Sequence, residues 1–128
     1  QLTKVDQMIE QRRLNASIFI ESVGSLPSVT IQRPLGESSW FAFAIIFKDT
    51  QKRSQVAESL RAAGVECRPI VTGNFVRQPV LNFLKYKVFG ELEVADRLHD
   101  CGMYIGNHPL PLTDEITKTA TLIARQLE

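Results

Sequence analysis

The sequence lacks the features that mark membrane, secreted and nucleic-acid-binding proteins. None of its apolar runs reaches the roughly 18–20 residues that a membrane span requires. It has only two cysteines, Cys67 and Cys101, whereas small secreted domains usually carry several disulfides. The formal net charge of +1 gives no long-range field to attract nucleic acid or an anionic membrane. These absences predict a cytoplasmic protein with no membrane and no nucleic-acid partner.

Catalytic and metal motifs are also missing. There is no Walker loop and no GxSxG, and the cysteines form no zinc pattern with His99 or His108. What is present is ordinary globular composition, with 44% apolar and 23% charged residues in a chain of 128 residues. The residues alone therefore indicate a ligand-contacting domain, without catalytic residues or a metal site of its own.

The spacing of apolar residues predicts alternating helices and strands. Helices are expected from the start of the chain to Gly24 and over residues 50–63, 91–101 and 113–127, with a short one near 79–84. Strands are expected over residues 40–47, 65–70 and 103–107, and Val29–Ile31 is a short extended piece. This order predicts an α+β fold, a small two-layer sandwich with helices on a mostly antiparallel sheet of about three strands.

Two features predict that residues 1–128 are a single domain of a longer protein. The first residue is Gln1, and the helical pattern has already begun there. The strand Trp40–Phe47 is apolar on both faces, which indicates a central strand or one that packs on something outside this chain. We therefore expect a second, N-terminal domain.

Residues 68–79 fit neither helix nor strand, and they concentrate polar groups around a glycine. Arg68 and Arg77 offer planar, permanently charged groups that suit phosphate. Asn74 and Gln78 each present a donor and an acceptor, which suits sugar hydroxyls or a keto oxygen. The segment predicts a loop that binds an anionic, polyhydroxylated ligand. A solvated surface loop is the alternative.

A second polar segment, Gly106–Asn107–His108, follows the last predicted strand. Loops at strand ends commonly carry function, and His108 can titrate near neutral pH. His108 is therefore a candidate acid, base or hydrogen-bond donor. A loop histidine that faces water or caps a backbone carbonyl is the alternative.

Three stretches together resemble the C-terminal region of the sugar aminotransferase and 3-dehydrase family that depends on pyridoxal phosphate (PLP), the DegT/DnrJ/StrS type. They are PLGESSWFAFAIIF, CRPIVTGNFVRQPVL and YKVFGELEVADRLHDCGMYIGNHPLPLT. The pattern is more similar to 4-keto-6-deoxyhexose 3-dehydrases than to ordinary aminotransferases, which usually show Pro-Leu-His-x-Gln-Pro where this chain has Asn74–Pro79.

The resemblance implies the small domain of a dimeric, fold type I PLP enzyme that acts on a nucleotide-linked 4-keto-6-deoxy sugar. Such enzymes serve deoxysugar, aminosugar or lipopolysaccharide biosynthesis. The family's Schiff-base lysine, a histidine in some dehydrases, belongs to the large domain, and none of the six lysines here has that context. The expected substrate contacts are Arg68, Asn74, Arg77, Gln78 and His108.

Two other functions fit the residues. One is a free-standing α+β regulatory domain that senses a small molecule and acts on a partner. The other is a dimerisation module that uses the Trp40–Phe47 strand. The enzyme interpretation requires a second domain in the same protein, whereas the regulatory domain and the dimerisation module do not.

Overall fold

A computed structural model describes residues 2–128, and it confirms the α+β class. The helices are α1 (Val5–Val23), α2 (Thr50–Ala62), α3 (Glu93–Cys101) and α4 (Thr113–Leu127). Short 3-10 turns lie at Leu2–Lys4, Phe75–Arg77 and Pro79–Phe83. The strands are β1 (Val29–Ile31), β2 (Ala42–Phe47), β3 (Cys67–Arg68) and β4 (Gly102–Gly106).

The sheet of the described residues has four strands in the order β1-β2-β4-β3, and every neighbouring pair is antiparallel. The predicted number of about three was therefore too low. The additional strand is the extended piece Val29–Ile31, which pairs with β2 in the register Val29↔Phe47 and Ile31↔Ile45. Three residues carry too little pattern to distinguish an edge strand from an extended linker.

Two strands are shorter than predicted, and a local feature of the backbone limits one end of each. Trp40 has φ +50, a left-handed conformation that an extended strand cannot contain, so β2 begins at Ala42 rather than at Trp40. Pro69 has no N–H to donate to a neighbouring strand, and β3 ends at Arg68, immediately before it.

The core lies between the helices and one face of the sheet. Phe43, Ile45 and Phe47 of β2 are buried on that face, next to Met103 and Ile105 of β4. The alternate residues of β2 are only half-buried, so β2 is central in the sheet but not fully covered on both faces. The helices thus form one layer and the sheet the other, as the two-layer prediction requires.

An aromatic pair joins α1 to the sheet in this core. The rings of Phe19 and Phe43 are stacked, with their centroids 4.3 Å apart and an interplanar angle of 6°. Trp40 packs against Phe43 at a centroid distance of 6.3 Å. Offset stacking of this kind adds to the free energy gained by burying the rings.

Candidate functional site

The segment of residues 70–79, which we call the 70–79 loop, follows β3 and lies against α3. Its turn is closed by a hydrogen bond of 2.7 Å from the Gly73 N–H to the Ile70 carbonyl. Gly73 has φ +61, and a Cβ at this position would lie 2.5 Å from His99 Nδ1. Only glycine fits both the conformation and the close approach to α3.

Asn74 is buried in the interface between this loop and α3, with 4% of its surface exposed. Its Nδ2 donates to Asp96 Oδ1 at 2.8 Å, and its Oδ1 accepts from the Val76 N–H at 3.0 Å. Its backbone N–H donates to His99 Nδ1 at 3.2 Å. Both ends of the amide are therefore engaged in holding the loop.

Arg77 joins the same interface from the solvent side. Its Nη1 donates to both carboxylate oxygens of Asp100, at 2.9 and 3.0 Å, and to Asp96 Oδ1 at 3.3 Å. The hydrogen bond from Arg77 lowers the pKa of Asp100, and the same bond raises the pKa of Arg77. Gln78 Nε2 donates to the Thr72 carbonyl at 2.7 Å, so this side chain also closes the loop on itself.

Arg68 and His108 line a different feature, an open cleft of about 480 Å³ at the sheet, which we call the sheet cleft. Arg68 donates to Glu66 Oε1 through Nε at 2.8 Å and Nη2 at 2.6 Å, and both side chains are exposed. These hydrogen bonds raise the pKa of Arg68. Arg12 and Tyr104 line the cleft beside them.

The five candidate residues are therefore divided between two places. The 70–79 loop contacts α3, which leads directly into β4, whereas His108 lies two residues after the end of β4. The two ends of this five-residue strand lie roughly 13 Å apart. The structure brings Asn74, Arg77 and Gln78 together in one group and Arg68 with His108 in another.

Sequence reasoning missed a buried pair of asparagines that holds the segment around His108. Asn15 Nδ2 lies 3.0 Å from Asn107 Oδ1, 3.0 Å from the His108 carbonyl and 2.8 Å from the Leu110 carbonyl. Asn107 Nδ2 donates to the Trp40 carbonyl at 2.8 Å. The sequence does contain an indication of this pair, because Asn15 lies beside Ala16 on the apolar stripe of α1. A polar side chain buried there without a hydrogen-bond partner would destabilise the fold, so a partner is expected.

Asp96 and Asp100 were also missed, because acidic residues on a helix are by default solvated. Their positions four residues apart place both carboxylates on one face of α3, with His99 between them. The His99 side chain is half-buried against the loop.

The described residues offer no covalent anchor for an aldehyde cofactor such as PLP in either place. No lysine is among the residues that line the sheet cleft, and none lies in the 70–79 loop. Across residues 2–128, no group of three or more His, Cys, Asp or Glu side chains is placed to hold a metal ion. No helix in that range is both long and apolar enough to span a bilayer.

The chain is similar to known proteins over nearly its whole length. Residues 1–123 match the sequence profile of the DegT/DnrJ/EryC1/StrS aminotransferase family. Over 128 residues the chain is 41% identical to the GDP-4-keto-6-deoxy-D-mannose 3-dehydratase of Yersinia pseudotuberculosis, covering 98% of this chain and 33% of that protein. It is 32% identical over 124 residues to the lipopolysaccharide biosynthesis protein RfbH of Salmonella typhimurium, covering 91% of this chain and 28% of that protein.

A solved structure shows the same fold. It is the E. coli GDP-4-keto-6-deoxy-D-mannose-3-dehydratase with bound hydrated PLP, similar at a TM-score of 0.89 and 40% identity. The match covers 96% of this chain and 32% of that one. The chain thus spans about a third of the length of the curated 3-dehydratases that it matches.

Proposed function

Because the chain belongs to the DegT/DnrJ/EryC1/StrS aminotransferase family, we propose that it is the C-terminal, substrate-side domain of a longer PLP-dependent enzyme. The proposed substrate is a nucleotide-linked 4-keto-6-deoxy sugar, modified by 3-dehydration or amino transfer for deoxysugar, aminosugar or lipopolysaccharide biosynthesis. One observation carries the proposal: nearly the whole chain matches a GDP-4-keto-6-deoxy-D-mannose-3-dehydratase in both sequence and fold.

In this proposal the cofactor is anchored by the second domain, because the described residues supply no lysine at either candidate location for a covalent link. PLP, when bound, stabilises carbanions by drawing electrons into its ring. The proposed task of this chain is to contact the substrate and to exclude water around it. Arg68 and His108 are exposed in the sheet cleft, where they can contact phosphate or hydroxyl groups, and Arg68 must then share or break its ion pair with Glu66. Asn74, Arg77 and Gln78 contribute by fixing the 70–79 loop.

A large exposed apolar segment supports the proposal that a second domain covers part of this one. Residues 82–91 are all exposed, and they include Phe83 at 86% and Phe89 at 98% of their full surface. Apolar patches of this kind on a protein surface mark interaction sites. We propose that this segment packs on the N-terminal large domain of the full-length enzyme, which we expect to be a homodimer.

Cysteine chemistry supports a cytoplasmic location for this enzyme. Cys67 and Cys101 are both free, and reduced thiols are typical of the cytoplasm. Burial raises the pKa of Cys67, which makes its thiol a weak nucleophile at neutral pH. We therefore propose no catalytic role for it.

The experiment that tests the proposed function compares the full-length gene product with the 128-residue chain. Each is incubated with PLP, reduced with borohydride and weighed by intact-mass spectrometry. We expect the full-length protein to retain PLP, and we expect the short chain to gain no pyridoxyl adduct at either candidate location, since neither location holds a lysine. A pyridoxyl adduct on the full-length protein indicates a lysine-type enzyme, whereas PLP held without an adduct indicates a histidine-type dehydrase.

The substrate is tested separately, with GDP-, CDP-, UDP- and dTDP-linked 4-keto-6-deoxyhexoses and glutamate as amino donor. A product that has lost the C-3 hydroxyl supports dehydration, and an amino sugar supports amino transfer. If the full-length protein binds no PLP, the proposed function is wrong, and the metabolite-sensing regulatory domain becomes the better interpretation.

A further inference from the structure

Two polar side chains of the 70–79 loop bond to α3, whereas two of its apolar side chains are exposed. Asn74 and Arg77 bond to Asp96 and Asp100 of α3, while Val71 is 81% exposed and Phe75 is 51% exposed. A binding loop whose polar groups contacted the ligand directly would leave those groups free. Here they are used within the domain, so the loop is built to hold a shape.

Three neighbouring side chains on α3 hold that shape. Asp96 Oδ1 accepts from Asn74 Nδ2 and from Arg77 Nη1, so one carboxylate oxygen receives both loop side chains. His99 accepts the Asn74 N–H, and Asp100 accepts both other bonds from Arg77. We call these five residues the loop latch.

The backbone of the loop needs such a restraint. Val71 has φ +46, which is unfavourable for a β-branched residue, and Gly73 is also left-handed. At the base of the loop, Ile70 lies against the junction of α3 and β4, where a Cβ on Gly102 would be 2.6 Å from Ile70 Cδ1. A strained loop keeps one conformation only where its surroundings determine it.

We infer that Asp96 is a positioning residue, which holds the 70–79 loop on α3 in the conformation that the proposed enzyme needs to bind its nucleotide-linked sugar. This inference rests on the proposed function for the identity of the substrate. The contact geometry of the loop latch does not depend on that function. Asp96 does not itself contact the substrate, and it acts through Asn74 and Arg77.

The test uses the full-length enzyme with Asp96→Ala, Asp96→Asn and the control Glu93→Gln. Glu93 is an exposed acid on the same helix, and in the described residues it makes no side-chain hydrogen bond or ion pair. Glu93→Gln therefore removes the same charge and leaves the latch intact. Asp96→Asn keeps an oxygen that can accept from Asn74 but loses the ion pair with Arg77.

Hydrogen–deuterium exchange measures how firmly the loop latch holds the 70–79 loop, and steady-state kinetics measures how the loop latch affects substrate binding. In Asp96→Ala we expect exchange of the amides of residues 73–78 to be roughly tenfold faster, since a hydrogen bond to a charged group is lost. We expect the KM for the nucleotide-sugar to rise by roughly tenfold with a much smaller change in kcat, because a disordered loop weakens binding. Asp96→Asn should recover part of both effects, and Glu93→Gln should match wild type.

Several results would overturn the inference. Equal exchange in Asp96→Ala and Glu93→Gln, with both variants folded by circular dichroism, would mean that Asp96 does not hold the loop. Faster exchange with unchanged KM would mean that the loop conformation does not matter for binding. If wild-type protein neither binds PLP nor converts a nucleotide-sugar, the proposed function fails, and the exchange data alone then decide whether the latch exists.

Discussion

The buried amide of Asn15 offers the sharpest test of how this domain is held together. In Asn15→Ala, three oxygens that lie 2.8–3.0 Å from Nδ2 lose their donor, and one of these bonds is fully buried. A buried polar group left without a partner costs about 1–3 kcal/mol, and the two partly buried carbonyls can regain water. With the small cavity that the truncation leaves, we expect a loss of about 2–4 kcal/mol in the free energy of unfolding.

Urea denaturation of the 128-residue chain measures this loss. Trp40, the only tryptophan, is buried, and its carbonyl accepts from Asn107, so its fluorescence reports the affected region. Ser17→Ala is the matched control, because Ser17 is exposed on the same helix and bonds only to its own turn. A loss below about 0.5 kcal/mol, with an unchanged m-value, would refute the argument that this network is a main connection between α1 and the segment after β4.

Three further predictions follow from other parts of the fold. Phe43→Ala removes the ring that stacks on Phe19 and should cost about 3–5 kcal/mol in a urea titration, and a value near that of a surface substitution would contradict the assigned core. Asp49→Ala removes the side-chain cap of α2 and should cost about 1 kcal/mol by the same assay, and no loss would mean that the cap is unimportant. Because Arg77 lowers the pKa of Asp100 in the folded state, the stability from this pair is present above the ordinary aspartate range and is lost as the pH falls through the lowered pKa. Asp100→Asn should remove this part of the acid dependence, and a variant that loses as much stability as wild type between neutral and acid pH would contradict the prediction.

The helices and the central strand of the sheet were predictable because each depends on a local pattern. The cap of α2 at Asp49 and its end before Gly64 follow from residue types that favour these positions wherever they occur. The α+β class follows from the order of the elements. The family resemblance was confirmed by the profile match over residues 1–123.

Features that depend on distant partners were not predictable. Nothing near Trp40 in the sequence indicates a left-handed backbone. In the structure the carbonyl of this residue accepts a hydrogen bond from Asn107, which is 67 residues away. The bonds that hold Asn74 and Arg77 to α3 depend on Asp96 and Asp100, which are about 20 residues further along the chain. The types of residue in the loop indicated polar contacts, but they did not indicate which partner each side chain would find, and the predicted ligand contacts stay a prediction.

The pairing of β2 with β4 has a consequence for synthesis of the protein. β2 is the apolar sequence Ala-Phe-Ala-Ile-Ile-Phe, without charge or proline, and its neighbour in the middle of the sheet is not complete until Gly106. A ribosome adds about 5–20 residues per second, so β2 waits roughly 3–12 seconds for its partner. An uncharged strand of this composition is prone to intermolecular pairing while it waits. We therefore expect that slower translation between β2 and β4 increases the aggregation of newly made chains.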